Sequence, residues 1–298
     1  MKKVVSISLG SKKRDFQDEI ELLGEKISVK RVGVDGDSQK AKALFEELDG
    51  QVDVLSVGGI DLFVQFGTKR YSIRAAQQLV KNVTKTPIVD GTGLKNTLER
   101  HVVHALVEQL GDRFTQGRVL LTAATDRYGM TQSFVEHAYE VVFGDLMFTV
   151  GLPIPVRSFA TFNRVASLLT GPVTKLPISM LYPTGQEQET IVPKFEKWYQ
   201  WATVIAGDCH FIKRHMPDDL SGKVILTNTT TPADRELFRQ RRVRYLMTTT
   251  PVINGRSFGT NLLEAAITAV SGRNRPLTFA ELNEIIQTLG LTPQVHSL

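Results

Sequence analysis

The stretch from Arg118 to Met130 carries the residue types and the spacing most typical of a chemical site in this sequence. It runs Arg-Val-Leu-Leu-Thr-Ala-Ala-Thr-Asp-Arg-Tyr-Gly-Met, which predicts a buried strand, a tight turn and the start of a helix. A second predicted strand, from Tyr139 to Phe143, is followed by Asp145. An acid about twenty residues beyond the turn is typical of a dinucleotide-binding unit, so the pattern predicts NAD or NADP as a cofactor.

The turn of this unit would have to hold the pyrophosphate. A dinucleotide turn uses glycines because the backbone must approach the phosphates closely, and the helix start supplies N–H donors. The three glycine positions of the fingerprint fall on Ala124, Asp126 and Gly129. Alanine is tolerated there, whereas the Asp126 carboxylate would repel phosphate oxygens unless Arg127 offsets its charge. An ordinary strand, turn and helix, with Asp126 as the helix cap, is the open alternative.

Two later strand ends extend the predicted cofactor site. Asn228 and Thr248 end apolar runs, and each is soon followed by a Thr-Pro pair. Ligands of open α/β sheets bind at such carboxyl ends, although Thr-Pro is also a helix start signal. Asp145 would bond a ribose hydroxyl, which favours NAD over NADP. The predicted cofactor-lining residues are Ala124, Thr125, Asp126, Arg127, Gly129, Asp145, Asn228 and Thr248.

A lysine beyond a glycine-rich turn is the predicted acid and base. Lys95 follows Asp90-Gly-Thr-Gly93, and a lysine beside a carboxylate can move a proton to or from a carbonyl or an alcohol. We therefore predict Lys95 and Asp90 as catalytic residues and the neighbouring Asn96 as a substrate ligand. A solvated surface lysine is the alternative.

Residues 207–215 bring several ionisable side chains close together in the sequence. Arg214 would anchor a carboxylate or hydroxyl of the substrate, and His210 would bind beside it. A solvated basic loop is the alternative. The spacing of Asp208, Cys209 and His215 matches no standard zinc pattern, so no metal site is predicted.

Composition restricts the class of protein. The chain has 298 residues, 42% of them hydrophobic and 22% charged, as in globular proteins with two domains. The net charge of +5 is small and scattered, so nucleic-acid binding is not indicated. The single cysteine, Cys209, excludes an internal disulfide and favours the cytoplasm. No apolar stretch is long enough for a transmembrane helix, so a membrane partner is not predicted either.

Predicted strands and helices alternate along the chain, which is typical of an α/β fold with parallel sheets. We predict an N-terminal α/β substrate domain over residues 1–112, ending near the Gly111-Asp112 turn. A Rossmann-like nucleotide-binding domain would follow over residues 113–298 and end in two helices. Residues 147–200 form a long insertion in it, and such insertions often serve as lids or oligomer contacts. A homo-oligomer formed through residues 147–200 is therefore a further prediction.

Blocks of sequence along nearly the whole chain resemble one bacterial family. They are residues 4–11, 58–61, 89–100, 143–146, 206–212 and 255–261. On these blocks the chain is similar to the family labelled quinate 5-dehydrogenase and, more distantly, to the shikimate and quinate dehydrogenases. The resemblance implies a substrate domain followed by a nucleotide-binding domain, with residues 228–232 near the nicotinamide. The family position of the Asp that pairs with the catalytic lysine falls on Leu98.

Two leading functions remain open from the sequence, and a metal-assisted lyase or hydrolase that uses Asp208 and His215 with a divalent ion is a third hypothesis. The leading hypothesis is an NAD(P)-dependent oxidoreductase, a dehydrogenase acting on a small polyol or hydroxy acid similar to quinate or shikimate. The alternative is a Rossmann-like protein that has lost redox chemistry and binds a metabolite or a protein partner. Asp126 in the turn, and Leu98 at the family's Asp position, favour the alternative.

Overall fold

The structure of the chain is a computed structural model that describes residues 1–111, 114, 116–177, 190–253 and 256–298. The described residues form a mixed α/β fold in which parallel pairs dominate the two large sheets, which confirms the predicted class at the level of α/β. Part of the predicted insertion, residues 178–189, lies outside the described residues, as does the predicted boundary residue 112.

Strands and helices alternate along the chain. Numbered in chain order, the strands are β1 (Lys2–Ser8), β2 (Phe16–Leu22), β3 (Glu25–Gly33), β4 (Val54–Gly58), β5 (Phe63–Phe66), β6 (Lys69–Ser72), β7 (Ile88–Val89), β8 (Arg118–Leu121), β9 (Glu140–Phe143), β10 (Val204–Ala206), β11 (Val224–Thr227), β12 (Tyr245–Thr248), β13 (Val252–Ile253), β14 (Arg256–Ser257) and β15 (Gln294–Ser297). The helices are α1 (Ser38–Leu48), α2 (Arg74–Val80), α3 (Thr92–Asn96), α4 (Val102–Leu110), α5 (Tyr128–Glu136), α6 (Phe159–Val173), α7 (Glu196–Trp201), α8 (Cys209–His215), α9 (Pro232–Gln240), α10 (Thr260–Val270) and α11 (Phe279–Thr288). Single helical turns also form at Lys12–Arg14, Leu98–His101 and Asp145–Thr149.

Within the described part of the chain, every helix is too short or too polar to cross a membrane.

The described residues divide into two compact units. The first contains residues 1–94, 169–177 and 259–290, and the second contains the other described residues. The division differs from the predicted boundary at residue 112, because the turn at Leu98–His101 and α4 pack against α5 in the second unit. The predicted C-terminal helices α10 and α11 belong to the first unit, whereas the prediction placed them in the second domain. α10 packs on β1 and β4 of the first unit.

The sheet of the first unit has the strand order β2-β3-β1-β4-β7. β1 pairs in parallel with β3 and β4, β4 pairs in parallel with β7, and β2 is antiparallel to β3. One face packs its apolar residues against α1 and α2. The other lies under α10, where the Asn261 amide donates to the hydroxyls of Ser6 (2.8 Å) and Ser56 (3.1 Å).

The sheet of the second unit has the strand order β15-β12-β11-β10-β8-β9. β8 to β12 are parallel to their neighbours, and β15 is antiparallel at the edge. Ranked along the chain, the parallel strands follow the order 2-1-3-4-5, which occurs in doubly wound α/β sheets. The residues of β10 and β11 are buried on both faces, as in sheets covered on two sides.

Candidate functional site

Two strand ends meet where the strand order of the second sheet reverses. β8 and β10 are neighbours, and the chain leaves them in opposite directions along the sheet, towards β9 and towards β11. The crevice beyond the carboxyl ends of such strands is where open α/β sheets bind ligands. Residues 122–127 follow β8 at this edge, and Gly207 and Asp208 follow β10.

Arg127 lies at these strand ends and is almost completely buried, at 2% exposure. Its Nη1 donates to Glu99, and its Nη2 lies 3.3 Å from Asp208 Oδ2. Its Nε lies 3.6 Å from Asp126 Oδ2. A charge is kept out of water at tolerable cost only when it is paired and hydrogen-bonded. Arg127 therefore holds three carboxylates, from distant parts of the sequence, around one guanidinium.

Lys95, the predicted acid and base, is ion-paired at the same edge. Its Nζ lies 2.9 Å from Asp126 Oδ1, and its side chain is 7% exposed against 20% for Asp126. Asp126 is not a helix cap, because α5 has Arg127 as its capping residue and no side-chain cap bond. The structure thus pairs Lys95 with Asp126, whereas Asp90, its predicted partner, belongs to the first unit.

Asp90 has backbone partners within the first unit. Its carboxylate accepts hydrogen bonds from the N–H groups of Leu62 (2.7 Å), Phe63 (3.2 Å) and Thr92 (2.9 Å). Buried polar groups need such partners, and here they shape the turn before α3. These bonds give Asp90 a structural role, and its catalytic role stays a prediction.

Glu99 is a part of the site that the sequence analysis missed. Its side chain is fully buried, and its Oε1 accepts from Arg127 and, at 3.3 Å, from Thr249 Oγ1. Its Oε2 has no hydrogen-bond partner among the described residues. Burial raises the pKa of Glu99, although the charges of Arg127 and Lys95 act in the opposite direction. The available signal was its place four residues after Lys95, although in the structure α3 ends at Asn96 and Glu99 lies in the separate turn Leu98–His101.

Asp208 connects β10 to α8 and is 23% exposed at its side chain. Its Oδ1 accepts the His210 N–H at 2.9 Å and so caps the helix. Burial raises the pKa of Asp208, but the charges of His210 and Arg127 outweigh it and hold that pKa below its usual range. His210, a predicted substrate ligand, therefore lies beside the site. Arg214 lies four residues further along α8, roughly 6 Å along the helix axis.

The predicted cofactor turn already binds a side chain of the protein. Asp145 Oδ2 accepts the Ala124 N–H at 3.0 Å, and its Oδ1 accepts the Thr125 N–H at 2.9 Å. These N–H groups belong to the turn between β8 and α5, which is where a dinucleotide-binding unit holds its pyrophosphate. Burial raises the pKa of Asp145, while the bonds from Thr125 and Ala124 favour its charged form. The predicted roles of these residues in holding a cofactor find no support in this geometry.

Gly129 is required by packing inside the second unit. A Cβ at this position would collide with the backbone oxygen of Lys95 and would lie 3.0 Å from Asn96 Cα. The glycine predicted to let a backbone approach a pyrophosphate instead lets α5 approach the end of α3. Asn96, a predicted substrate ligand, is half-buried at this contact.

Asn228 and Thr248 lie at the ends of β11 and β12, on the same carboxyl edge as Asp208. Asn228 is 6% exposed, and its backbone oxygen accepts from Ser257 Oγ at 2.8 Å. Thr248 is fully buried, and its Oγ1 has no hydrogen-bond partner among the described residues. These strand ends continue the polar edge that begins at Asp126.

At this edge of the sheet the carboxylates are more exposed to solvent than the cations that pair with them. Asp126 and Asp208 are partly exposed, whereas Lys95 and Arg127 are buried beside them. No group of three or more His, Cys, Asp or Glu side chains in the described ranges is arranged to hold a metal ion. The partly exposed Asp126 and Asp208 carboxylates can accept hydrogen bonds from a small molecule.

Solved structures resemble this chain only distantly. A sugar ABC transport substrate-binding protein of Bordetella parapertussis is 12% identical, with a TM-score of 0.32 over 83% of this chain and 75% of that chain. The NAD-dependent malic enzyme of Thermotoga maritima is 11% identical, with a TM-score of 0.37 over 95% and 75%. The periplasmic binding protein of an arabinose transporter from a Shewanella species is 11% identical, with a TM-score of 0.33 over 90% and 84%.

The prediction of an NAD(P)-dependent oxidoreductase is wrong. The solved structures that resemble the chain include proteins named for sugar transport or galactofuranose binding and one NAD-dependent malic enzyme, all with TM-scores between 0.32 and 0.37. In the chain itself, the Asp145 carboxylate takes the two N–H groups at the start of the dinucleotide turn. The resemblance to the quinate 5-dehydrogenase family stays a prediction.

Family models cover nearly the whole sequence. No curated protein matches it. A model described as a domain of unknown function (DUF8753) matches residues 3–90. A second, also described as a domain of unknown function (DUF8754), matches residues 93–298. Because that match spans more than half of the sequence, the chain belongs to the DUF8754 family.

Proposed function

We propose that the chain binds a small polar metabolite at the carboxyl edge of the second sheet and carries out no nicotinamide redox chemistry. The observation that carries the proposal is the pair of partly exposed carboxylates, Asp126 and Asp208, at the ends of adjacent strands. Parallel α/β sheets bind their ligands at this place. The proposed site is therefore built from one unit alone.

The carboxylates are held in position before any ligand arrives. Arg127 contacts both of them, and Lys95 contacts Asp126 from the same buried side. Side chains that are already ordered lose little conformational freedom on binding, which favours affinity. Asp145 supports the second half of the proposal, because it takes the N–H groups that a dinucleotide would use.

Calorimetric titration of the purified protein tests this proposal. The probes are NAD, NADH, NADP, NADPH, inorganic phosphate, L-glutamate, L-lysine, D-glucose and myo-inositol. The test variant is Asp208→Asn, which keeps a helix-capping residue in front of α8. The control is Asp219→Asn, which removes an exposed carboxylate paired with Arg242.

We expect a non-nucleotide probe to bind, with an affinity that falls about tenfold or more in Asp208→Asn and is unchanged in Asp219→Asn. Binding of a nicotinamide dinucleotide, or binding that ignores Asp208, would overturn the proposal. So would the failure of every non-nucleotide probe to bind.

The predicted homo-oligomer stays a prediction with a specific test. Val150, Leu152 and Ile154, in the described part of the insertion, are 50%, 45% and 49% exposed. Apolar side chains exposed together are typical of contact surfaces. Light scattering should give a mass above one chain for the wild type and a lower mass for Leu152→Asp. A monomeric wild type would rule the hypothesis out.

A further inference from the structure

The charges at this edge also restrict the chemistry of the ligand. We infer that the edge recognises an electrically neutral, polyhydroxylated molecule whose hydroxyl groups donate hydrogen bonds to Asp126 and Asp208. The inference rests on the proposed function and names the ligand class for the same site.

An anionic ligand is disfavoured because it would approach the negatively charged carboxylates of Asp126 and Asp208. The Asp126 and Asp208 carboxylates at this edge are partly exposed, at 20% and 23%. Lys95 and Arg127, the cations that contact these carboxylates, are only 7% and 2% exposed. Like charges within a few ångströms repel most strongly where water is excluded. Phosphate, sulfate and carboxylate groups are therefore poor partners.

A cationic ligand would have to share carboxylates that already have cations. Asp126 faces Lys95 Nζ at 2.9 Å and Arg127 Nε at 3.6 Å, and Asp208 faces Arg127 Nη2 at 3.3 Å. Each of these carboxylates therefore already faces a cation, and an ammonium ligand would have to compete with an existing ion pair.

A hydroxyl group fits this edge because it donates and accepts at once. A carboxylate oxygen only accepts, and hydrogen bonds to charged groups contribute more than bonds between neutral ones. Two fully buried oxygens, Glu99 Oε2 and Thr248 Oγ1, have no partner among the described residues. Glu99 Oε1 accepts from Arg127 and from Thr249, so the Glu99 Oε2 oxygen lies beside Arg127 at the site. A polyol carries several hydroxyl groups that can donate to such acceptors.

D-glucose and two sugars that each differ from it at a single carbon test the inference. D-glucose is neutral, D-glucosamine carries an ammonium group, and D-glucuronate carries a carboxylate. The neutral cyclitol myo-inositol and the straight-chain polyol D-glucitol extend the neutral class. Each is titrated into the wild type, Asp126→Asn, Asp208→Asn and the Asp219→Asn control, with circular dichroism and thermal unfolding to verify folding.

We expect the neutral compounds to bind, with D-glucosamine and D-glucuronate each weaker than D-glucose by about tenfold or more. The preference should diminish in Asp126→Asn and in Asp208→Asn and persist in the control. Tighter binding of either charged sugar, sensitive to Asp208, would overturn the neutral class and leave the proposed function standing. If no compound binds in a way that depends on Asp126 or Asp208, the proposed function fails with it.

Discussion

Asp145 Oδ1 accepts a 2.9 Å hydrogen bond from the backbone N–H of Thr125, 20 residues earlier in the chain. These are the two features that predicted a dinucleotide site. In a dinucleotide-binding unit the turn holds the pyrophosphate and the acid holds a ribose, so the ligand separates them. Here they bind each other, which explains how the spacing occurs without the fingerprint glycines.

Asp145→Ala should lower the free energy of unfolding by about 1–3 kcal/mol, because two partly buried N–H groups lose their acceptor. Urea denaturation measures the change. Glu236→Ala is the control, since it removes an exposed carboxylate paired with Arg239, and its effect should stay within about 1 kcal/mol. Equal effects of the two substitutions would contradict a structural role for Asp145.

Arg127→Met should lower the free energy of unfolding by about 3–5 kcal/mol. The substitution keeps an unbranched side chain but leaves Glu99 and Asp208 without their shared cation. Arg239→Met, at an exposed ion pair, should cost less than about 1 kcal/mol. Thermal and urea unfolding of both variants measure these changes in stability. A change below about 1 kcal/mol for Arg127→Met would contradict the ion pairs of Arg127 with Glu99 and Asp208.

Glu99 should make the protein less stable as the pH rises. Its pKa in the folded chain lies above the ordinary value of 4.5, so the folded state binds this proton more tightly than the unfolded state. The stabilisation is complete below pH 4.5 and is lost as the pH rises through the folded pKa. Glu99→Gln removes the titration, so its unfolding free energy should depend less on pH than that of the wild type at pH values above 4.5. A variant that is several kcal/mol less stable at pH 5 would indicate an ionised Glu99.

Gly129→Ala should destabilise the fold by about 1–3 kcal/mol, because the new methyl group meets the Lys95 backbone. Gly171→Ala is the matched control. Gly171 lies in α6 with open space around its missing Cβ, so alanine there should stabilise the helix by up to about 1 kcal/mol. Opposite signs in urea denaturation are expected, and equal signs would count against the close approach of α5.

Asp49 should contribute to stability in acid. The N–H groups of Thr84, Thr86 and Lys85 lower the pKa of its carboxyl group from 3.8 to about 2. A lowered pKa stabilises the folded state above pH 3.8, and this contribution disappears as the pH falls towards 2. Asp49→Asn should therefore unfold with a weaker pH dependence over that interval. Identical acid-unfolding curves for variant and wild type would show that these bonds are not made.

Elements with clear periodicity were predictable from the sequence. β1 and β4 follow apolar runs, and Thr278 caps α11 together with Glu281, a Thr-x-x-Glu spacing that can be read from the sequence. The hairpin of β2 and β3 was missed, because its charged residues mask the alternating pattern. The turn that connects these strands uses Leu23 and Gly24 at positive φ, a conformation that Leu rarely adopts.

The side chains of the site were easier to predict than their pairing. Lys95, Asp126 and Arg127 were candidates from the sequence, but Lys95 was assigned to Asp90 instead of Asp126. The contacts of Arg127 with Glu99 and Asp208 were not predicted. Arg127 bonds Glu99 28 residues away and Asp208 81 residues away. Local sequence patterns indicate contacts between residues of the same turn, helix or strand. Contacts between residues 28 or 81 positions apart depend on the strand order of the sheet, which these patterns do not give.

The bond between Asn261 and Ser56 spans 205 residues of chain. During translation, β1 and β4 leave the ribosome long before α10, the helix that covers one of their faces. Domains usually fold as units while the chain emerges. The first unit is an exception. The helix α10, which covers one face of its sheet, is synthesised only after most of the second unit. Nascent chains that stop short of residue 260 should consequently stay bound to chaperones.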